Sequence, residues 1–481
     1  MPPPRTVVIA GAGFSGVVTA AQLLRLPHAG PLRVVLVNRS GSMARGVAYG
    51  TNSPAHVLNV PAGRMGASPE DPEGFIRFAR SRDPSLAADA FLPRRLYGDY
   101  LEHFLAEAER AAAPDVTLER RIGEITALER CDSSRTVHVS GTPGWTIVAD
   151  RVVLALGNYP PEDPVVEDLS FYASGRYIRD PWARGALDAI DRTKPVLLIG
   201  TGLTMLDIAL EIARREFTPP LLAISRHGLL SQAHRPAVGP PGPHHRPPAL
   251  QGAPPTALNY LRAIRRHVAD LADQGEDWRP VLDSIRPLTP SLWQTLSVAE
   301  RGRFLRHLRP FWEVHRHRAA PAAAKALQEM LTCGKLQIRA ARVLSFDSTG
   351  ASVRAHLRQR GKDKIEAFDV GTVVNCTGPC SDVRTLPDPL IAYLRERGMI
   401  RPDPLGLGLE TSDDGMLLDA AGKASPLLYY VGPLLKGKYW ESTAVPELRV
   451  HASRLAATLA TSLGSCTSPR SSESPGAIAD S

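Results

Sequence analysis

The uncharged run Thr6-Val7-Val8-Ile9-Ala10 leads directly into Gly11-Ala12-Gly13-Phe14-Ser15-Gly16, and an apolar stretch to Leu26 precedes a second strand-like run, Leu32 to Asn38. A β-rich segment, a glycine turn, a helix-length segment and another β-rich segment read as one βαβ unit. Each glycine answers a physical need. The first makes the tight turn, the second lets a pyrophosphate approach the backbone, and the third lets helix and strand pack closely. The helix N-terminus then offers partial positive charge to the phosphates. Thr6 to Leu24 carries no charged residue and could pass for a signal peptide or a membrane span. The three glycines at dinucleotide spacing argue against both, so the chain is expected to be soluble and not held in a membrane.

The same grammar restarts at Pro195 to Ile199, continues through Gly200-Thr201-Gly202-Leu203-Thr204-Met205 and a helix to about Arg215, and ends in a strand at Leu221 to Ser225. Here Met205 stands where the third glycine would be. Between the two units, Tyr100, Leu101, Phe104, Leu105 and Ala108 recur at helical spacing within Tyr97 to Ala112. Val116 to Gly157 reads as short strands with a turn at Gly141-Thr142-Pro143-Gly144. The segment from about Gly228 to Thr256 is dense in Pro, His and Gly and reads as loop. Helices are expected to about Leu331, then a small β-meander from Lys335 that closes on Thr372 to Gly378.

Two dinucleotide turns in one chain of 481 residues suggest electron transfer between two cofactors, FAD on the first and NADH or NADPH on the second. The expected fold class is α/β with two Rossmann-like domains, the FAD domain being discontinuous around an inserted NAD(P)-binding domain. The expected division is 1–190 for the first part of the FAD domain, 191–334 for the NAD(P) domain, 335–466 for the return, and 467–481 for a disordered tail. The acid that usually binds a ribose at the end of the second strand is replaced by Asn38-Arg39 in the first unit. In the second it is replaced by Ser225-Arg226, which would accommodate a 2′-phosphate.

Cys131, Cys333, Cys376, Cys380 and Cys466 are an odd set without disulfide or zinc spacing, which fits a reducing compartment, the cytoplasm. Cys376 and Cys380 have the wrong spacing for a redox dithiol and read as core or turn residues. No metal site is expected, and His244-His245 reads as solvated. With neither dithiol nor metal, molecular oxygen is the expected electron acceptor. The net charge of +8 comes from scattered arginines with no nucleic-acid module, so the expected partners are a small-molecule substrate and O2. No residue emerges as an acid–base catalyst, and the oligomeric state stays open.

Further segments carry a family resemblance: Gly46-Val47-Ala48-Tyr49, Leu58-Asn59-Val60-Pro61-Ala62-Gly63-Arg64-Met65, Pro93 to Tyr100, Asn375-Cys376-Thr377-Gly378-Pro379 and Trp440 to Arg449. Together with both glycine turns they resemble the FAD/NAD(P)-binding family of flavin monooxygenases that includes FAD-dependent urate hydroxylase and L-aspartate N-monooxygenase. The resemblance implies that NAD(P)H reduces FAD and that the reduced flavin activates O2 as a hydroperoxide to hydroxylate a substrate. Compact length favours urate, giving 5-hydroxyisourate in purine degradation. L-Aspartate N-hydroxylation and a non-catalytic redox sensor are the alternatives.

The expected cofactor-binding residues are Gly11, Ala12, Gly13, Phe14, Ser15, Gly16, Asn38, Arg39, Asn59, Val60, Met65, Gly157, Gly200, Gly202, Arg226, Gly378, Gly432 and Ala444. Gly432-Pro433 stands where related flavoproteins often have Gly-Asp. Glu441 to Val445 is expected to begin the last helix, aimed at the flavin. Tyr439 and Trp440 either stack on flavin or substrate or pack in the core, and Arg64, Arg94 and Arg95 are candidates to hold pyrophosphate or an anionic substrate.

Overall fold

The computed structural model describes residues 3–464 apart from 42, 132, 134, 236–240 and 351, so the tail expected at 467–481 lies outside the described residues. One six-stranded sheet runs, in spatial order, Met416–Leu418, Ala424–Tyr430, Arg151–Leu154, Arg5–Ala10, Leu32–Asn38 and Val116–Ile122. All neighbours are parallel except the first pair. Its central strands Arg151–Leu154, Arg5–Ala10 and Leu32–Asn38 are buried on both faces, which explains their largely apolar character. Val7, Ile9, Val34 and Leu36 meet the helices Phe14–Arg25, Arg94–Arg110 and Val445–Gly464. Val8, Ala10, Val35 and Val37 meet a three-stranded sheet and the Pro389–Glu396 helix on the other side.

The second sheet has seven strands, ordered Ile365–Val370, Ser352–Gln359, Leu336–Thr349, Leu221–Ser225, Val196–Ile199, Thr372–Asn375 and Tyr177–Ile178. In both sheets the strand that feeds a glycine turn has its chain successor on one side and a later strand on the other. This is the switch point at which open α/β sheets leave a crevice for ligands.

The expected domain boundaries need correction. The chain does not return to the first sheet at 335. Leu336–Thr349 pairs parallel with Leu221–Ser225 and then antiparallel with Ser352–Gln359, and Thr372–Asn375 pairs with Val196–Ile199. The first sheet resumes only at Met416. Tyr177–Ile178, expected in the first domain, also belongs to the second sheet. Val116–Ile122, expected among the small strands, instead extends the first sheet beside Leu32–Asn38. Among the described residues, no helix is long and apolar enough to cross a membrane.

Candidate functional site

The first glycine turn is built as its spacing requires. Gly11 has φ +112°, and a Cβ there would lie 2.2 Å from the Ala155 carbonyl oxygen. A Cβ on Gly16 would lie 1.9 Å from the Gly11 oxygen, so strand and helix meet without side chains between them. At Gly13 a Cβ would meet nothing nearer than Gly46 Cα at 3.7 Å, leaving the turn open toward a cavity of about 370 Å³. That cavity collects Gly11 to Ser15, Asn38, Arg39 and Gly157 on one wall. Gly16 is buried behind it in the helix. The N-terminus of the Phe14–Arg25 helix opens here, so the donor set fits a dinucleotide phosphate. A Cβ on Gly432, φ +138°, would lie 2.9 Å from Tyr430 Oη and 3.8 Å from Ser15 Oγ, and Pro433 lines the cavity.

Ala48, Tyr49 and Thr443 are shared with a second cavity, of about 870 Å³, which gathers Asn59, Val60, Arg64, Met65 and Ala444. Glu441 to Thr443 form the approach, and the last helix begins only at Val445. The remaining wall comes from the chain that follows the second nucleotide unit and holds Arg279, Arg286, Arg316, His317, Arg318, His234 and Asp283. The sequence reading named none of these. They lie in a loop and helices with no motif, and only the tertiary fold brings them beside Asn59.

This cationic wall is held by three acids, Glu447, Asp283 and Glu441. Arg286 donates two hydrogen bonds to Glu447, at 2.5 Å and 2.7 Å. Arg318 pairs with Asp283, and its side chain is 6% exposed while Nε has no hydrogen-bond partner among the described residues. Arg316 Nη2 lies 3.2 Å from Glu441 but is not aligned for a hydrogen bond, and its Nε is also without one. These idle donors carry almost no accessible surface, so each guanidinium bears a desolvation cost inside the wall while its residue lines the cavity. Burial pushes His234 down to about 4, with the Arg318 charge adding to the shift, so the ring is neutral at pH 7. Its Nε2–H donates to the Asn59 carbonyl at 3.1 Å and ties the two walls together.

The second turn follows the same rules. Gly200 has φ +113° and would meet Cys376 O at 2.3 Å, while a Cβ on Gly202 finds open space. Met205, in place of the third glycine, is fully buried in the core behind the helix. Thr204 and Gly378 line a small cavity of about 210 Å³ between the two units. Asn375 shapes that loop and has its amide fully engaged. Nδ2 donates to Glu162 O and Tyr177 Oη, and Oδ1 accepts from Thr377 N. Arg226 lies elsewhere, in a hollow of about 490 Å³ with His227, Arg342, Arg358 and Arg360.

Several candidates take other parts. Arg94 lines the larger cavity but is tied to the second unit. Nη2 donates to Asp207 at 2.7 Å and Nε to Val57 O at 3.0 Å. Burial holds the Asp207 carboxyl up at about 6, with Arg94 pulling it back. Arg95 is exposed and lines neither cavity. Trp440 is turned away from the nucleotide side and stacks on Trp293 at 4.9 Å, and Tyr439 stacks on His451. Cys376 and Cys380 are both buried, and burial pushes the Cys380 thiol up to about 11. His245 is not solvated. Gly242 N–H donates to its Nδ1, and its Nε2–H donates to Glu276 at 2.8 Å. His244 lies 3.4 Å from the same carboxylate.

Residues 8–159 match the family described as FAD-NAD(P)-binding. Comparison with curated protein sequences returns no match. Among solved structures, the chain is similar to an ornithine N-hydroxylase from Kutzneria sp. 744, at 17% identity and TM-score 0.60, covering 95% of this chain and 99% of that one. An ornithine hydroxylase from Pseudomonas aeruginosa gives 15% and 0.64 over 96% and 100%. Bacillithiol disulfide reductase from Bacillus cereus gives 13% and 0.52 over 95% and 99%. At these identities the likeness establishes the α/β architecture with two Rossmann-like units along nearly the whole chain.

Proposed function

We propose that the chain is an FAD- and NAD(P)H-dependent monooxygenase that hydroxylates the amino group of a small carboxylate-bearing molecule. The observation that carries this reading is the 870 Å³ cavity. It shares Ala48, Tyr49 and Thr443 with the first glycine-turn cleft and is lined by Arg279, Arg286, Arg316 and Arg318, a cationic wall suited to a carboxylate. In this reading Gly11 to Gly16, Asn38, Arg39 and Gly157 hold the adenosine and pyrophosphate of FAD, and Asn59, Val60, Met65 and Ala444 border its ring. When bound, FAD supplies hydride acceptance and O2 activation. The chain's own part is to fix the substrate anion, present its amine and exclude water. Support for an amine comes from the ornithine hydroxylases that share the fold. Urate, the substrate expected from chain length, is an anion too and competes for the same wall.

The test is a panel of L-aspartate, L-ornithine, L-lysine and urate, with NADPH oxidation and product followed together. Acceleration by an amino acid with a hydroxylamine or nitroso product is the expected result. Loss of urate absorbance coupled to NADPH oxidation would replace the amine by urate. A protein that binds FAD yet oxidises NAD(P)H with none of them would be a redox sensor instead.

The second nucleotide is read as NADPH, since Arg226, Arg342, Arg358 and Arg360 line one hollow next to the end of the Leu221–Ser225 strand. Arg226→Ala is expected to raise the KM for NADPH about tenfold, the scale of one phosphate contact, and to leave the KM for NADH unchanged. An equal change for both nucleotides would remove the 2′-phosphate from the argument.

A further inference from the structure

The helices between Ala257 and Arg316 do not close on themselves. They surround a separate cavity of about 790 Å³ with almost wholly apolar walls, within the size range of small-molecule sites. One wall is the stripe Leu261, Ile264 and Val268 on the Ala257–Ala272 helix, the spacing of a core-facing surface, yet these residues are only half-buried. The floor is the stacked pair Trp293 and Trp440, with Trp312 opposite. At the lip stands Arg265, which is exposed and has no acidic partner among the described residues.

Trp440 joins this cavity to the nucleotide side. Its backbone sits at φ +59° and ψ −56°, closed by a hydrogen bond from Glu441 N to Tyr439 O at 2.7 Å. That is a γ-turn of the rare, strained hand on a bulky residue, which persists only where the surroundings hold it. The next residue, Glu441, accepts from Trp312 Nε1 at 3.1 Å and faces Arg316, and Thr443 to Val445 line the nucleotide-side cavity. A contact pressed on Trp440 and Trp312 therefore reaches Arg316 of the site's wall through Glu441, and Thr443 three residues along the chain.

We propose that the cavity is an effector site for an apolar anion, an aromatic or acyl carboxylate or sulfonate. Its hydrocarbon fills the tryptophan floor, and its charge meets Arg265 at the lip. Occupancy holds Trp440 in its turn and stiffens Glu441 to Leu448. The charge of the ligand follows from Arg265, and its apolar body from the walls.

Anilinonaphthalene sulfonate is the probe, added to the full chain as purified, with binding read by probe fluorescence and tryptophan quenching. Saturable binding is expected. It should be lost in Val268→Glu and weakened about tenfold in Arg265→Glu, a fully exposed change that leaves the fold intact. Backbone hydrogen exchange over residues 439–448 should slow when the probe binds. Neither readout depends on turnover, so failure of the proposed reaction and failure of this site are separable. The proposal is overturned by absence of saturable binding, by equal binding of a neutral naphthylamine probe, by indifference to both variants, or by unchanged exchange over 439–448. It is equally overturned if sedimentation shows a self-associated chain that Val268→Glu dissociates, because the occupant is then a second copy.

Discussion

Replacing Gly13 by Ala should lower FAD affinity by roughly 100-fold, about 2.7 kcal/mol, while the thermal midpoint of the apoprotein stays within a degree or two of the parent. The neighbouring replacement Gly16→Ala should cost the fold itself. The two glycines differ in what a methyl group would meet. At Gly13 the backbone is at φ −80°, open to any residue, and the nearest atom to a built Cβ is Gly46 Cα at 3.7 Å, an ordinary contact. The protein loses nothing there, so any loss must come from a ligand that needs the space. At Gly16 the Cβ would sit 1.9 Å from a backbone oxygen, and neither strand nor helix can yield without unpacking. Titration of flavin fluorescence and thermal melts of both apoproteins check this. A Gly13→Ala protein that retains FAD at parental affinity would show that no pyrophosphate approaches the turn, and would remove FAD from the first cleft.

This contrast also shows which parts of the molecule could be read from the chain. Gly11, Gly13 and Gly16 were legible because each constraint is local. A turn, a close approach and a strand–helix contact all fall within six residues, on a periodicity that declares strand and helix. The strand Leu32–Asn38 and the second unit at Val196–Ile199 were legible for the same reason. Where the sheets divide was not, because Leu336–Thr349 is a single strand whose first half pairs with Leu221–Ser225 and whose second half opens a meander. Sequence shows the meander and not the neighbour. Trp440 admits two readings from the chain, stacking on the cofactor or packing in a core, and the reversed turn at φ +59° decides between them by sending its ring to the side of Trp293. The cationic wall had no signal at all, since Arg286, Arg316 and Arg318 become neighbours of Asn59 only through folding over more than two hundred residues of intervening chain.

That wall supports the second large effect. Arg318→Ala should raise the KM for the amino-acid substrate by roughly 100-fold with kcat within a few-fold of the parent, because a contact made equally in ground and transition states is lost. Arg318→Lys should recover little, since an ammonium cannot present the planar fork that engages a carboxylate at two points. The competing explanation is that Arg318 serves only Asp283. Asp283→Asn separates the two. It removes the negative partner and leaves the guanidinium, so a substrate-binding Arg318 becomes more available and KM should fall or hold. An Arg318 that merely steadies Asp283 predicts instead that both variants lose thermal stability alike and neither moves KM. The half-exposed Asp283 carboxylate, at 29%, can be resolvated when its partner is gone. The Arg318→Ala protein should therefore stay folded and keep FAD, leaving KM as the quantity that reports on the site.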